Sequence, residues 1–159
     1  MPIAERRAES SARGTVLEAR TVTTPSQVAK ALSVRRRAQV HEIVRIRSAG
    51  KVPLALEHSW FPAEVFTDLL DCRLTGSLYR LLTNRYRQRP HTALEYLEPA
   101  CVTDAEAAHL GVQPGVAVMR IERTAHTVAG LAVEYATDLF RPDRIRISVR
   151  SNWTADPAG

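Results

Sequence analysis

Arg45 and Arg47 stand two apart in the strand-like run HEIVRIR, and Glu57 follows in VPLALEHSWF. A guanidinium fork suits a carboxylate or phosphate, bidentately and with charge. A glutamate beside it accepts hydrogen bonds from hydroxyls or amines. Residues two apart in a strand share a face, so Arg45, Arg47 and Ile43 point one way. Val44 and Ile46 then take the core face. An odd hairpin loop, such as residues 49–51, would set Arg45 opposite Ala55 and Glu57 opposite Ile43, and the three charges would share a surface. An even loop would separate them, and sequence leaves both open. The cluster is therefore either a cross-strand ion pair worth about 0.2–1 kcal/mol or a ligand site.

The elements that must carry these charges follow from periodicity. TVLEARTV (15–22) reads as a strand. In TTPSQVAKALSV, Thr24 is the expected N-cap and Pro25 the first helical residue, with Val28, Ala31 and Leu32 as the apolar stripe. Residues 40–47 and 52–61 read as strands around a Ser-Ala-Gly-Lys turn. Helical spacing appears in 62–71 and 76–87, the second with Leu78, Leu81 and Leu82 on one face and Ser77 as cap. Then come a strand (92–102), a short helix (103–112) capped by Thr103 or Asp104 and ended by Gly111, and strands at 116–126 and 131–140. RIRISVR (144–150) alternates as a last strand. Residues 1–13 are expected as a lead-in, 14–150 as one domain and 151–159 as a loose tail.

The order strand-helix-strand-strand occurs twice. VLEARTVTTPSQVAKALSV lies over ALEYLEPACVTDAEAAHLGV, and IVRIRSAGKVPLALEH over RIERTAHTVAGLAVEY. Glu18 thereby matches Glu95, and Glu57 matches Glu134. Two halves of one plan imply an α+β fold with one antiparallel sheet and helices packed on it. A site between halves is expected, since clefts favour such junctions.

The 159 residues fit one domain with a core. No apolar run approaches membrane-spanning length, and the start has no secretory h-region, so a cytoplasmic protein without membrane contact is expected. Cys72 and Cys101 lie far apart, as two reduced thiols. The histidines show no metal spacing, and neither metal nor cofactor is expected. Trp60 reads as core. His58, His91 and His126 read as surface or loop. The net charge of +5 could serve nucleic acid through Arg35, Arg36 and Arg37 beside Lys30, although such a run also suits a solvated loop. No nucleophile–base pairing, GxSxG motif or phosphate-cradling glycine loop is present.

The runs VRIRSAGKVPLALEHSWFP, SLYRLLTNRYRQRP, LGVQPGVAVMRIERTAHTVAGLAVEYATDLFRPDRIRISV and LEARTVTTPSQVAKALSV carry a resemblance. Together they resemble the UTRA effector-binding domain of GntR transcription regulators of the HutC subfamily, from about Ala12 to Val149. The resemblance implies a chorismate-lyase-like sheet and a sensing rather than enzymatic function. It also implies a small, polar, anionic metabolite as ligand, and a homodimer. DNA contact would come only through a winged helix-turn-helix of roughly seventy residues, a module size within the usual range, that finds no counterpart in this sequence. By resemblance the pocket positions are Arg45, Arg47, Glu57, Ser77, Tyr79 and Glu134. The arginines would hold the anion, the glutamates hydroxyls or an amine, and Ser77 and Tyr79 would add contacts where free helix amides favour anions. Phe140 stands where the family often carries a tyrosine, which puts the usual amino-sugar phosphate in question. The upstream IAERRAESS also departs from the family's anion-holding loop. The shared fold keeps a lyase-like enzyme as an alternative, with a basic nucleic-acid module as another.

Overall fold

The computed structural model of the chain describes residues 13–149. Six strands, β1 (Arg13–Thr23), β2 (Gln39–Ala49), β3 (Val52–Pro62), β4 (Thr92–Cys101), β5 (Ala117–His126) and β6 (Ala132–Phe140), form one sheet in the order β1-β2-β3-β6-β5-β4. Every neighbouring pair is antiparallel. The two halves of the sequence repeat are thus the two halves of the sheet, and β3 and β6 join them. The match of Glu18 with Glu95 does not hold in register: Glu95 lies opposite Arg123, whereas Glu18 lies past a bulge opposite Val44, on the other face.

The helices α1 (Ser26–Leu32) and α3 (Asp104–Leu110) cover one face of the sheet. Val28 and Leu32 of α1 pack on Val40, Trp60 and Tyr135. Ala107 and Leu110 of α3 pack on Ile46, Leu56 and Val118. The other face carries α2 (Leu78–Tyr86), whose Leu78 and Leu82 meet Ile43, Phe61, Phe66 and Ala125. A side chain fully buried in these layers contributes about 1.5–3 kcal/mol. Trp60 is core, as expected.

Local chemistry explains most helix ends. Ser77 accepts from the Arg80 amide, and Thr103 forms a capping box with Glu106. Gly111 closes α3 in the left-handed region. Three expectations fail. Thr24 does not cap α1: its hydroxyl donates to the Ala38 carbonyl, and Pro25 holds the cap position without a side-chain bond. Residues 62–71 are not a helix but turns and a 3-10 turn at Leu69–Asp71. There the Pro62 carbonyl takes the amides of Val65 and Phe66, folding the segment so that Phe66 and Leu69 enter the core. Finally, residues 144–149 are not a strand. The chain turns at Arg141–Arg144, and these residues join no ladder; Arg150 and the tail lie outside the described residues.

Candidate functional site

The β2–β3 turn has two residues, Gly50 and Lys51, and Gly50 sits at φ 59°. An even loop alone would put Arg45 and Glu57 on opposite faces. A bulge in β3 opposite the Arg47–Ser48 step inserts Leu54 as the extra residue and restores a common face. Arg45 therefore lies directly opposite Glu57, not Ala55, and Arg47 lies opposite Ala55.

Rows of cross-strand neighbours on the α2 side map the site. One row runs Arg47, Ala55, Phe140, Met119. The next runs Arg45, Glu57, Asp138, Ile121. A third runs Ile43, Ser59, Ala136, Arg123, Glu95. Glu134 follows, opposite Ala125.

Arg45 is 6% exposed and Glu57 8%. Arg45 donates from Nε (3.1 Å) and Nη2 (2.6 Å) to Glu57 Oε2. Its Nη1 donates to the carbonyls of Leu74 (2.6 Å) and Gly76 (2.9 Å). Arg45 thus ties the loop before α2 to the sheet, beside the bond from the Gly14 amide to the Thr75 carbonyl. The Arg47 side chain is 29% exposed, and its Nη1 donates to Glu57 Oε1 at 3.2 Å.

Glu134 is 3% exposed and accepts from Ser59 (3.2 Å), Tyr79 (2.5 Å) and Arg123 (3.1 Å). Arg123 also reaches Asp138 at 3.0 Å and Glu95 at 3.5 Å, and it lies over the Tyr79 ring. Burial pushes the Glu134 carboxyl up, but the Arg123 charge and the bonds from Tyr79, Arg123 and Ser59 outweigh it and hold it below the ordinary value. Burial lowers the Arg123 pKa, yet the Glu134 and Asp138 charges leave it well above the usual range.

Six of the seven residues that resemblance pointed to, namely Arg45, Arg47, Glu57, Tyr79, Glu134 and Phe140, lie on or over this face. Ser77 sits at the exposed start of α2, capping it. The reading of the sequence did not place Arg123, Ser59 or Asp138 in the site. Asp138 had a signal: a carboxylate in a strand that alternates apolar residues on both sides. Arg35, Arg36 and Arg37 are exposed in the loop before β2, beyond the end of that strand opposite Arg47.

A cavity of about 340 Å³ lies elsewhere, between the end of α3 and the segment after β6, lined by Gly111, Val112, Val116, Arg141 and Asp143 among others. Its Arg141 is held by Asp143 and the Leu110 carbonyl. The charged cluster carries the richer chemistry. Among the described residues no group of His, Cys, Asp or Glu is placed to hold a metal ion, and no helix is long and apolar enough to cross a membrane.

The UTRA domain family model matches residues 8–146. The repressor NagR of Bacillus subtilis (strain 168) is 32% identical over 130 residues, covering 81% of this chain and 53% of NagR. The regulator GmuR of the same organism is 24% identical over 123 residues, covering 77% of this chain and 52% of GmuR. The chain spans about half the length of these curated relatives. The ligand-binding domain of a regulator assigned to the GntR family, from Bordetella bronchiseptica, superposes with a TM-score of 0.79 at 25% identity, covering 90% of this chain and 92% of that one. The effector domain of PhnF from Mycobacterium smegmatis shares the fold, with a TM-score of 0.80 at 24% identity over 84% of this chain and 83% of that one. Sheet order, helix placement and the family match agree: the chain belongs to the UTRA domain family, the effector domain of GntR-family transcriptional regulators.

Proposed function

We propose that this domain senses a small polar anion on the α2 side of its sheet, at Arg45, Arg47, Glu57, Ser77, Tyr79, Glu134 and Phe140. One observation carries this reading. Glu57 and Glu134, at matching positions of the two halves, are buried on one face with three arginines around them. Burying that many charges is costly, and charged networks of this kind concentrate at functional sites. Arg47 supplies the accessible guanidinium; Arg45 and Arg123 hold the glutamates in place.

The whole protein's activity follows as part of the same proposal. It is a cytoplasmic HutC-type regulator that meets DNA through a winged helix-turn-helix and is not an enzyme. The ligand changes DNA affinity by the difference in its own affinity for two arrangements of a homodimer. Edge strand β4 offers the self-association surface, because Leu94, Tyr96 and Leu97 are all exposed on it. A thermal-shift screen of sugar phosphates, amino acids and organic acids tests the sensing step. The expected result is stabilisation by one chemical class, lost in Arg47→Ala. Stabilisation that survives Arg47→Ala undiminished removes this face from the sensing mechanism.

A further inference from the structure

Basic residues that no acid answers are gathered at one end of the sheet. β2 and β4 begin there, at Gln39 and Thr92, and β3 and β5 end there, at Pro62 and His126. Lys30 lies at the end of α1, Arg35, Arg36 and Arg37 stand in the connection to β2, and Arg87 and Arg89 lead into β4. All are exposed. Among the described residues none of them makes an ion pair, whereas Arg45, Arg85, Arg123 and Arg141 do. Of the acids in the adjoining segment 62–71, Asp68 is taken up by Arg85 and Tyr86, which leaves Glu64 and Asp71 to face this group.

The backbone fixes these arginines, and strains two of them. The Ala38 amide donates to the Arg35 carbonyl and closes a turn, and Thr24 anchors it by donating its amide and hydroxyl to the Ala38 carbonyl. Arg37, the third residue of that turn, has φ 68°, and Arg87 closes α2 at φ 58°. Both places favour glycine or asparagine, and Gly111 fills the corresponding place after α3. Among the described residues the non-glycine residues with positive φ are Ser33, Arg37 and Arg87, so two of them are arginines of this end. A merely solvated charge run requires neither the anchoring nor the strain.

Fixed guanidiniums suit a polyanion of phosphates. Of the 22 lysines and arginines only Lys30 and Lys51 are lysines. An arginine fork pairs a phosphate bidentately, whereas a lysine is a point charge. β2 and β4 stand four strand spacings apart, so the two arginine groups are separated by roughly 19 Å. Duplex DNA carries one phosphate charge per about 1.7 Å of its axis, so both groups can meet phosphates together in any register. The β5–β6 turn between them exposes Val128 and Leu131, little apolar surface for lodging in a bilayer. The family works in transcription regulators, which puts duplex DNA within reach.

We infer that this end of the sheet is a contact surface for the phosphate backbone of duplex DNA, indifferent to sequence. It is separate from the effector face and additional to any winged helix-turn-helix.

Fluorescence anisotropy with a short labelled duplex of arbitrary sequence tests this on the whole chain. Binding should weaken about 40- to 500-fold between about 50 and 200 mM salt, as three to five phosphate contacts require. A duplex of unrelated sequence should bind within about twofold. Arg35→Gln, Arg36→Gln and Arg37→Gly together should weaken binding about tenfold or more and flatten the salt slope. Lys51→Gln, Arg80→Gln and Arg146→Gln remove the same charge elsewhere and should change binding less than about twofold. Arg37→Gly with Arg87→Gly should weaken binding without lowering the melting temperature, since glycine relieves the left-handed strain. No binding at low salt, equal weakening by the control set, or a melting temperature lowered by the glycine pair overturns the inference. So does binding to phosphatidylcholine–phosphatidylserine vesicles with none to duplex, which would assign this end to a membrane surface.

Discussion

Ser59 of β3 and Ala136 of β6 face each other where the halves of the sheet join, and the offset that carries Glu57 onto Glu134 also carries Ser59 onto Ala136. An approximate twofold axis therefore passes between them, perpendicular to the sheet. Such an axis keeps equivalent residues on one face, so both glutamates point to the α2 side and α1 and α3 share the other. Among the described residues helix α2 has no counterpart in the second half. It breaks the symmetry and brings Tyr79 to Glu134.

Arg45 and Arg47 should separate in mutagenesis. Arg45→Ala strands the buried Glu57 carboxylate and frees two loop carbonyls, and losing one partner of a buried pair costs about 3–5 kcal/mol. Arg45→Lys should recover little, because a lysine lacks the planar fork. Arg47→Ala removes a half-exposed contact and should cost under about 1 kcal/mol. Urea denaturation of the three variants measures these differences.

Gly14 has its own dependence on Arg45. A Cβ there would stand 3.1 Å from Arg45 Nη1 and 3.2 Å from Cζ. Arg45 cannot swing away without losing its carbonyl bonds. Gly14→Ala should therefore destabilise the domain, by less than Arg45→Ala does, and the double variant should be less than additive. Full additivity in denaturation curves would show that the two do not communicate.

Acid should weaken the fold through Glu134. Its folded pKa lies below the ordinary 4.5, so its contribution is present above that value and fades as pH falls through the depressed one. The melting temperature should drop on acidification below about pH 4.5. Glu134→Gln, less stable at neutral pH, should show a flatter drop in that window. An unchanged slope would assign acid sensitivity to other carboxylates.

The exposed apolar side chains of β4 predict self-association. Tyr96→Lys combined with Leu97→Lys should shift the domain towards monomer in analytical ultracentrifugation without lowering its melting point, since both side chains are exposed. An unaltered sedimentation profile would move the interface off this edge.

The strands were legible in the sequence because runs rich in apolar and β-branched residues lie between turn signals, and because the halves repeat. The face shared by Arg45 and Glu57 was not legible: it depends on a bulge at Leu54 of β3, which no residue type announces. The segment 62–71 carried helical spacing, but its Phe66 and Leu69 are drawn into the core by contacts with α2, which a local pattern cannot register. Residues 144–149 alternate well yet join no ladder, since alternation reports a tendency to pair and not a partner. Of the site, the charges could be read from residue types. That Arg45 would be tied to the Leu74 and Gly76 carbonyls could not, because those lie far along the chain.

Hydrogen exchange locates the ligand face most directly. With any compound that raises the melting temperature, mass spectrometry should show new amide protection in the segments 43–57, 76–80 and 134–140. The loop 33–38 and the segment 111–118 should remain unchanged. Protection concentrated at 111–118 and 141–143, around the second cavity, with none near Arg47, would contradict the assignment.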